Sequence, residues 1–202
     1  MTYFTIPAST LRAAMYFAAK NDVRYYLNGV YLDIPRGRIV STTGAGLFCG
    51  KLPDDVPRDH APVIVPREVI ETALKALGRK NERTYLVGVT LDAGNVRLEV
   101  PGCVAAGTCI DAEFPQYERI LVRKTSGQTA QFDPDLLVAA RGAINAYTGA
   151  SVIGHALQHN GDSAAIMPGK NCLCVVMPAR VTADEAELTW LDNRPESEPV
   201  AA

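Results

Sequence analysis

The side chains most able to do redox or metal chemistry in this sequence are its cysteines, together with His155 and His159. The cysteines are Cys49, Cys103, Cys109, Cys172 and Cys174. No two of them have the Cys-x-x-Cys spacing of a zinc or dithiol site, and no third ligand lies near the two histidines. Cysteine is also a small apolar residue that suits buried strands. We therefore predict no metal site and interpret both histidines as structural or surface residues.

Two glycine-containing stretches resemble nucleotide-binding loops in part. Gly44, Gly46 and Gly50 follow a predicted strand, but the segment KLP comes next, where a helix would be needed. Without a helix N-terminus there are no aligned N–H groups to hold a pyrophosphate. The segment PGK at residues 168–170 has the composition of a hairpin turn and no Walker spacing. No serine, histidine and carboxylate combination has a recognisable catalytic setting either, so we predict a protein that is not an enzyme and uses no cofactor.

Three stretches place an apolar run before a proline that opens a helical pattern. In APVIVPREVIETALKAL (residues 61–77), Pro66 suits the first position of a helix. The apolar residues behind it recur at three- and four-residue steps on one face, namely Val69, Ile70, Ala73, Leu74 and Leu77. Similar patterns pass through Pro7 and Pro134. Alternating apolar stretches follow each predicted helix, so the chain reads as three copies of strand, helix and three strands.

The composition is that of an ordinary globular protein. Of 202 residues, 48% are hydrophobic and 21% charged, and the formal net charge is -2. This balance excludes a strongly basic nucleic-acid-binding protein, although it leaves room for a local basic surface. No apolar run approaches a membrane span, and the first residues lack the basic head and apolar middle of a signal peptide. We expect a cytoplasmic protein with no membrane partner.

Four segments resemble the bacterial DNA polymerase III beta subunit family, the sliding clamps. They are VRYYLNGV at residues 23–30, PVIVPREVIETALKAL at 62–77, FPQYERIL at 114–121 and VVMPAR at 175–180. The resemblance implies an α+β DNA-clamp fold of repeated β-α-β-β-β units, with antiparallel sheets outside and helices on one face. It divides the chain into a complete clamp-like domain of two units at 1–121, a half domain of one unit at 122–181 and an acidic C-terminal tail at 182–202.

The resemblance also implies a function without chemistry. Such a protein encircles double-stranded DNA without sequence specificity and binds DNA polymerases or repair proteins through a short clamp-binding peptide. Carried over position by position, the peptide-binding cleft would consist of Arg24, Leu27, Thr42, Gly44, Leu47, Pro115, Arg119, Ile120, Val175, Val176, Met177, Pro178 and Arg180. Leu27, Leu47, Ile120, Val176 and Met177 would form its apolar slot. Alternatively, Leu27, Val175 and Met177 are simply core residues.

The chain departs from the family pattern at several positions. Family members commonly have a histidine and an arginine in the turn where this chain has Ala45 and Gly46, and Leu136 stands where an aromatic residue is frequent. No segment resembles the clamp's first domain or the first half of its last domain. A lone unit leaves a sheet face and an apolar helix stripe uncovered. We therefore expect the third unit to pair with that of a second chain about a twofold axis, giving a homodimer, or a homotetramer if two such arcs close a ring.

The helices carry the candidate DNA-contacting side chains, which are Arg12, Lys20, Lys75, Arg79, Lys80 and Arg141. A solvated charged face with no ligand is the alternative, since acidic residues such as Glu68 and Glu71 lie nearby. In the tail, ELTWL at residues 187–191 is similar to the Gln-Leu-x-Leu-Phe pattern that clamp partners insert into the cleft. The tail is therefore either a regulatory ligand or an added edge strand.

Two functional classes stay open at this point. The first is a sliding-clamp-like processivity factor for DNA replication or repair. The second is a clamp-like peptide-binding module that scaffolds or competes for clamp partners without encircling DNA. A nucleotide-binding enzyme built on the Gly44 loop is a remaining alternative.

Overall fold

The computed structural model of this chain describes residues 1–80, 82–121, 124–150 and 156–179. Over these residues the chain forms ten β-strands and three α-helices. The strands are β1 (Thr2–Pro7), β2 (Gly29–Asp33), β3 (Arg38–Thr42), β4 (Gly46–Lys51), β5 (Val63–Pro66), β6 (Leu86–Asp92), β7 (Asn95–Val100), β8 (Cys103–Thr108), β9 (Ala165–Gly169) and β10 (Cys172–Val176). The helices are α1 (Ala8–Met15), α2 (Arg67–Leu77) and α3 (Pro134–Thr148). Short 3₁₀ helices cover Tyr25–Leu27 and Tyr117–Ile120.

The strands form two antiparallel sheets, and the first two repeat units exchange their leading strands. One sheet has the order β1-β6-β7-β8, so the leading strand of the first unit joins the second unit. The other has the order β5-β2-β3-β4-β10-β9, so β5 joins the first unit in return. This exchange buries both leading strands and locks the two units into one body. The predicted α+β architecture of repeated units is confirmed over this part of the chain.

Helix α2 lies with its apolar stripe against the sheets, as the residue spacing predicts. Val69, Ile70, Ala73, Leu74 and Leu77 are all buried in the main core. Full burial of one such aliphatic side chain contributes about 1.5–3 kcal/mol. Arg67 and Glu71 form an ion pair on the helix surface, with 2.9 Å between Nε and Oε1. The core thus lies between the helices and the inner faces of the two sheets.

In the second unit the prediction that Pro66 is the first residue of the helix is wrong by one residue. Pro66 is the last residue of β5, with φ -57° and ψ 138°, and α2 begins at Arg67. The fixed φ of proline suits both an extended residue and a helical one, so the sequence alone does not choose between them. Pro134, by contrast, is the first residue of α3, and the Asp133 carboxylate caps that helix by accepting from the Asp135 N–H at 2.9 Å.

The third unit departs from the predicted strand, helix and three strands. No strand forms at the described residues directly before α3, although the Ala179 N–H donates to the Gln131 carbonyl at 2.8 Å. Of the first strand predicted after α3, residues 151–155 lie outside the described residues, and Gln158 makes only an isolated bridge to Ile166. In the first two units each leading strand pairs with the sheet of the other unit. The third unit has no such counterpart among the described residues, which explains the missing strand.

The third unit instead extends the six-stranded sheet through β10, which pairs with β4 in the register Val175 to Leu47. Helix α3 packs on α1, and Gly142 makes this approach possible. A Cβ added to Gly142 would lie 2.5 Å from the Tyr16 ring. The Tyr147 hydroxyl donates to the Lys51 carbonyl at 2.7 Å and ties α3 to the end of β4. No helix in the described part of the chain is long and apolar enough to span a bilayer.

Candidate functional site

The turn between β3 and β4 is held by its own side chains. The Thr42 hydroxyl donates to the Gly46 carbonyl at 2.8 Å and accepts from the Gly44 N–H at 3.0 Å. Gly44 has φ +91°, a conformation that L side chains rarely adopt. The turn therefore has a defined shape at the end of the sheet where β3 stops.

Arg24 crosses from the 3₁₀ helix at Tyr25–Leu27 to this turn. Its Nη2 donates to the Thr43 carbonyl at 3.0 Å and to Asp22 Oδ2 at 2.7 Å. A Cβ at Gly44 would lie 2.7 Å from Arg24 Nη1, so the guanidinium rests directly on the glycine. The hydrogen bonds from Arg24 lower the pKa of the Asp22 carboxyl to about 2. The Arg24 side chain keeps nearly half of its surface exposed, so a ligand can reach it.

Strand β10 brings the last predicted segment to the same place. The Met177 N–H donates to the Ala45 carbonyl at 2.9 Å, directly beyond the pairing of Val176 with Gly46. Side chains alternate along β10, so Val175 lies on the face opposite the helices and Val176 faces the main core with 0% exposure. Met177 is 38% exposed and is the apolar side chain of this segment that a ligand can reach.

The connector that follows the second unit lies beside the same surface. Its 3₁₀ helix at Tyr117–Ile120 packs Ile120 against the cluster on the outer face of the six-stranded sheet, which contains Leu47 and Val175. Pro115 and Arg119 are exposed on the same connector. All the described residues predicted for the cleft therefore lie in or directly beside the two 3₁₀ helices, the β3–β4 turn and the end of β10.

The predicted cleft residues fall into three groups by exposure. Those that are exposed are Arg24, Gly44, Pro115, Arg119 and Met177. Those that are half-buried are Ile120 and Pro178. Those that are buried are Leu27, Thr42, Leu47, Val175 and Val176, while Arg180 lies outside the described residues. Of the five side chains predicted for the apolar slot, only Ile120 and Met177 have accessible surface beyond 2%; Val176 is a core residue because the strand alternation turns it inward.

A second candidate surface lies among the helices, on the other side of the six-stranded sheet. A concavity of about 410 Å³ is lined by Arg12, Arg79, Arg83 and Arg141 between α1, α3 and the loop after α2. Arg12 Nε donates to Glu82 Oε2 at 2.9 Å, so the charge of this arginine is already paired. The pairing raises the pKa of Arg12 further. Arg79, Arg83 and Arg141 are exposed and give the concavity its positive character.

The other three cations predicted to contact DNA lie outside the residues that line this concavity. Lys20, Lys75 and Lys80 are exposed. Sequence reasoning missed Arg83, which lies farther beyond the end of α2 than Arg79 and Lys80. It also missed Asp22, for which the Asp-x-Arg spacing before the 3₁₀ helix was the available signal.

Three of the five cysteines, Cys49, Cys172 and Cys174, are buried. Burial raises the pKa of the Cys49 thiol to about 11 and that of Cys172 to about 12, and it raises the pKa of Cys174 as well. Thiols protonated at neutral pH are poor nucleophiles and poor metal ligands. His159 packs beside Phe132, with 5.8 Å between ring centroids, and His155 lies outside the described residues.

Comparisons with known proteins agree with this architecture. The sequence model of the family described as DNA polymerase III beta subunit, central domain, matches residues 6–116. The beta sliding clamp of Pseudomonas aeruginosa is 35% identical over 127 residues, which cover 59% of this chain and 34% of that protein. The chain thus matches about a third of the length of this curated relative.

Two solved structures share the fold over most of the chain. The DNA polymerase sliding clamp from Pseudomonas aeruginosa, solved with a ligand, has a TM-score of 0.71 at 21% identity, covering 89% of this chain and 66% of that one. The DNA polymerase III beta subunit of Thermotoga maritima has a TM-score of 0.69 at 13% identity, covering 90% of this chain and 66% of that one. At these identities the likeness concerns the fold.

Proposed function

Because the chain belongs to the DNA polymerase III beta subunit family, we propose that it is a sliding-clamp-like processivity factor, which assembles into an oligomeric ring around DNA and binds partner peptides in a hydrophobic cleft. The cleft is the site at which Arg24, the β3–β4 turn, the connector and the end of β10 meet. The observation that carries this proposal is the Met177 to Ala45 hydrogen bond of 2.9 Å. It brings together two segments that lie 132 positions apart in sequence and that would share one binding surface.

The chemistry of the site suits a short peptide with apolar anchors. Met177 and Ile120 offer adaptable apolar surface over the buried floor of Leu47 and Val175. The exposed guanidinium of Arg24 supplies donors for a peptide carbonyl or carboxylate. This combination of a few apolar contacts and a fixed donor is typical of peptide-binding sites.

The helix surface supports the DNA half of the proposal. Arg79, Arg83 and Arg141 line one concavity, and the helices lie on the opposite face of the six-stranded sheet from the cleft. One molecule can therefore bind a partner on the outer face of the sheet and contact phosphates on the helix side. Contacts of this kind are non-specific and weaken as salt is added.

The third unit supports self-association as a homodimer or homotetramer. In α3 only Ala140, Ala143 and Ile144 are buried, whereas Leu136 and Leu137 on the same apolar stripe are half-buried. The comparable stripe of α2 is fully covered by sheets. A second copy that pairs its own α3 unit with this one about a twofold axis completes the half domain. Two chains then form a three-domain arc, and two arcs close a ring.

Retention on DNA separates the ring from the second candidate function, a peptide-binding module that does not encircle DNA. The protein is incubated with a nicked circular plasmid at moderate salt and passed through a gel-filtration column, and the plasmid is then linearised. A ring stays with the circle and is lost from the linear form. Equal loss from both forms, with peptide binding intact, favours the module.

A further inference from the structure

A third concavity, of about 740 Å³, lies on the outer face of the six-stranded sheet and is distinct from the cleft. Its floor is formed by β2 and β5, and its wall is the segment that runs from β8 into the connector. This segment is attached to β5, because the Ile110 N–H donates to the Ile64 carbonyl at 2.9 Å. We call this concavity, with Tyr31, Asp33, Phe114 and Tyr117 at its centre, the acidic pocket.

A buried carboxylate with an unused oxygen lines the acidic pocket. Asp33 is 0% exposed. Its Oδ2 accepts from the Tyr117 hydroxyl at 2.7 Å and from Arg36 Nη1 at 3.3 Å. Its Oδ1 is buried and has no hydrogen-bond partner within the described residues. A buried charged acceptor without a donor is costly, so a donor that reaches Oδ1 from the pocket side would stabilise it.

The walls of the pocket are flat and rigid. The Tyr31 ring stacks on Phe114, with 4.5 Å between centroids and 2° between ring planes. Tyr117 meets Tyr31 edge to face at 6.2 Å, and its hydroxyl is fixed by Asp33. Burial raises the pKa of Tyr117 most, and the hydrogen bond to Asp33 raises it further, so the hydroxyl remains a donor at neutral pH.

The charges of the pocket favour a cation. Besides Asp33, the acidic lining residues are Asp111, Glu113 and Glu118, all exposed at the rim. Among the residues that the structure describes, Arg36 is the only lysine or arginine that lines it, and its Nε is paired with Glu118 Oε1 at 2.9 Å. A cationic group that enters the pocket therefore meets an excess of negative charge.

The arrangement selects an organic cation over a metal ion. Among the described residues no group of three or more histidine, cysteine or acidic side chains is placed to hold a metal. One unused carboxylate oxygen beside aromatic rings suits a guanidinium or ammonium group on an apolar stem. We propose that the acidic pocket binds a basic side chain, arginine above all, of a partner protein.

The position of the pocket links it to partner binding. Pro115 lines the acidic pocket and belongs to the same connector as Ile120 in the cleft. A partner whose peptide occupies the cleft can therefore place a neighbouring basic residue in the pocket. Only this link rests on the proposed function, since recognition of a basic side chain does not need the cleft.

The test uses N-acetyl-arginine amide as the probe and N-acetyl-citrulline amide as its uncharged isostere, added to the full ¹⁵N-labelled chain. We expect the arginine probe to shift the amide resonances around Tyr31, Ile64 and Phe114 saturably, and the citrulline probe not to do so. The Asp33→Asn variant removes the charge but keeps an acceptor for Tyr117. It should weaken arginine binding about tenfold, because it removes a charge-assisted hydrogen bond.

Two further variants make the result decisive. Asp55→Asn removes an exposed carboxylate outside the pocket lining and should leave binding unchanged. Arg36→Gln removes the resident cation at an exposed position and should tighten arginine binding severalfold, which tests the pocket even if Asp33→Asn does not fold. The proposal is overturned if both probes shift the same resonances equally, if Asp55→Asn weakens binding as much as Asp33→Asn, or if Arg36→Gln weakens it.

A peptide experiment tests the link separately. A peptide of the Gln-Leu-x-Leu-Phe pattern is compared with versions that carry a flanking arginine or citrulline on either side. A gain in affinity from arginine that Asp33→Asn abolishes supports the link. If arginine amide binds but a flanking arginine gives no gain in peptide affinity, the pocket proposal is retained and its link to peptide binding is rejected. Failure of every peptide to bind rejects the proposed cleft and leaves the arginine-amide result standing.

Discussion

The guanidinium of Arg24 rests on the backbone of Gly44, so close that a Cβ at that glycine would lie 2.7 Å from Arg24 Nη1. The contact joins the 3₁₀ helix at Tyr25–Leu27 to the β3–β4 turn, which in turn holds Met177 through the Ala45 carbonyl. Three segments that are distant in sequence thus share one contact network. Gly44 therefore helps to set the shape of the candidate cleft.

Replacing Gly44 with alanine should weaken peptide binding more than it weakens the fold. The substitution places a Cβ at φ +91° and displaces Arg24. We expect a loss of about 1–3 kcal/mol in unfolding free energy from the backbone conformation. Gly94→Ala is the matched control, because Gly94 has φ +80° and open space around it. Urea unfolding and peptide titration should show similar stability losses, with weakened peptide binding in Gly44→Ala alone. Equal peptide affinities in the two variants would contradict the role of this contact.

Gly142→Ala tests how the third unit docks on the first domain. In a helix this substitution is ordinarily favourable by about 0.5–1 kcal/mol. Here the new Cβ lies 2.5 Å from the Tyr16 ring, so we expect a net loss of about 1–2 kcal/mol from overpacking. In a Tyr16→Ala background the same change should become favourable. A double-mutant cycle by urea unfolding measures this reversal, and additive effects would show that α1 and α3 do not meet in this way.

Much of this architecture could be predicted from the sequence, and the exceptions have physical causes. The apolar spacing behind Pro66 predicts the buried face of α2, because a period of 3.6 residues places all of these apolar side chains on one side of the helix. The absent strand before α3 could not be predicted, since its pattern matches the leading strands β1 and β5 and only the lack of a partner sheet prevents its pairing. The burial of Val176 follows from the register of β10 on β4, which no local pattern fixes. The hydrogen bond of Tyr117 to buried Asp33 joins residues 84 positions apart, and no local pattern indicates it.

The ion pair of Arg24 with Asp22 should give the protein an acid-sensitive contribution to stability. The folded-state pKa of Asp22 is lowered to about 2, against about 3.9 in an unfolded chain. A depressed carboxyl pKa stabilises the folded state above the unfolded value, and this contribution is lost as pH falls from about 4 towards 2. Urea unfolding of the wild type and of Asp22→Asn is measured between pH 6 and pH 2. The difference between their free energies of unfolding should disappear as the pH falls from about 4 towards 2. A difference that is constant over the whole range would refute the assignment.

The arginines of the helix-side concavity should set the salt dependence of DNA binding. Arg79 and Arg83 line it and are exposed. If each contacts one phosphate, the slope of log K against log salt should fall by about 0.9 per arginine removed. The Arg79→Gln/Arg83→Gln variant is compared with Arg97→Gln, an exposed arginine on β7 outside the concavity, by anisotropy with a fluorescent duplex at several salt concentrations. An unchanged slope in the double variant would exclude this surface from DNA contact.

The central claim is that the third unit requires a second copy of the chain, and sedimentation equilibrium tests it most directly. At micromolar concentration the wild type should have at least twice the chain mass of 21.7 kDa. Leu137→Glu on the half-buried apolar stripe of α3 should shift it towards the monomer, whereas Leu86→Glu, at an exposed residue of β6, should not. A wild type that sediments as a stable monomer, or a Leu137→Glu variant with an unchanged mass, would contradict the account.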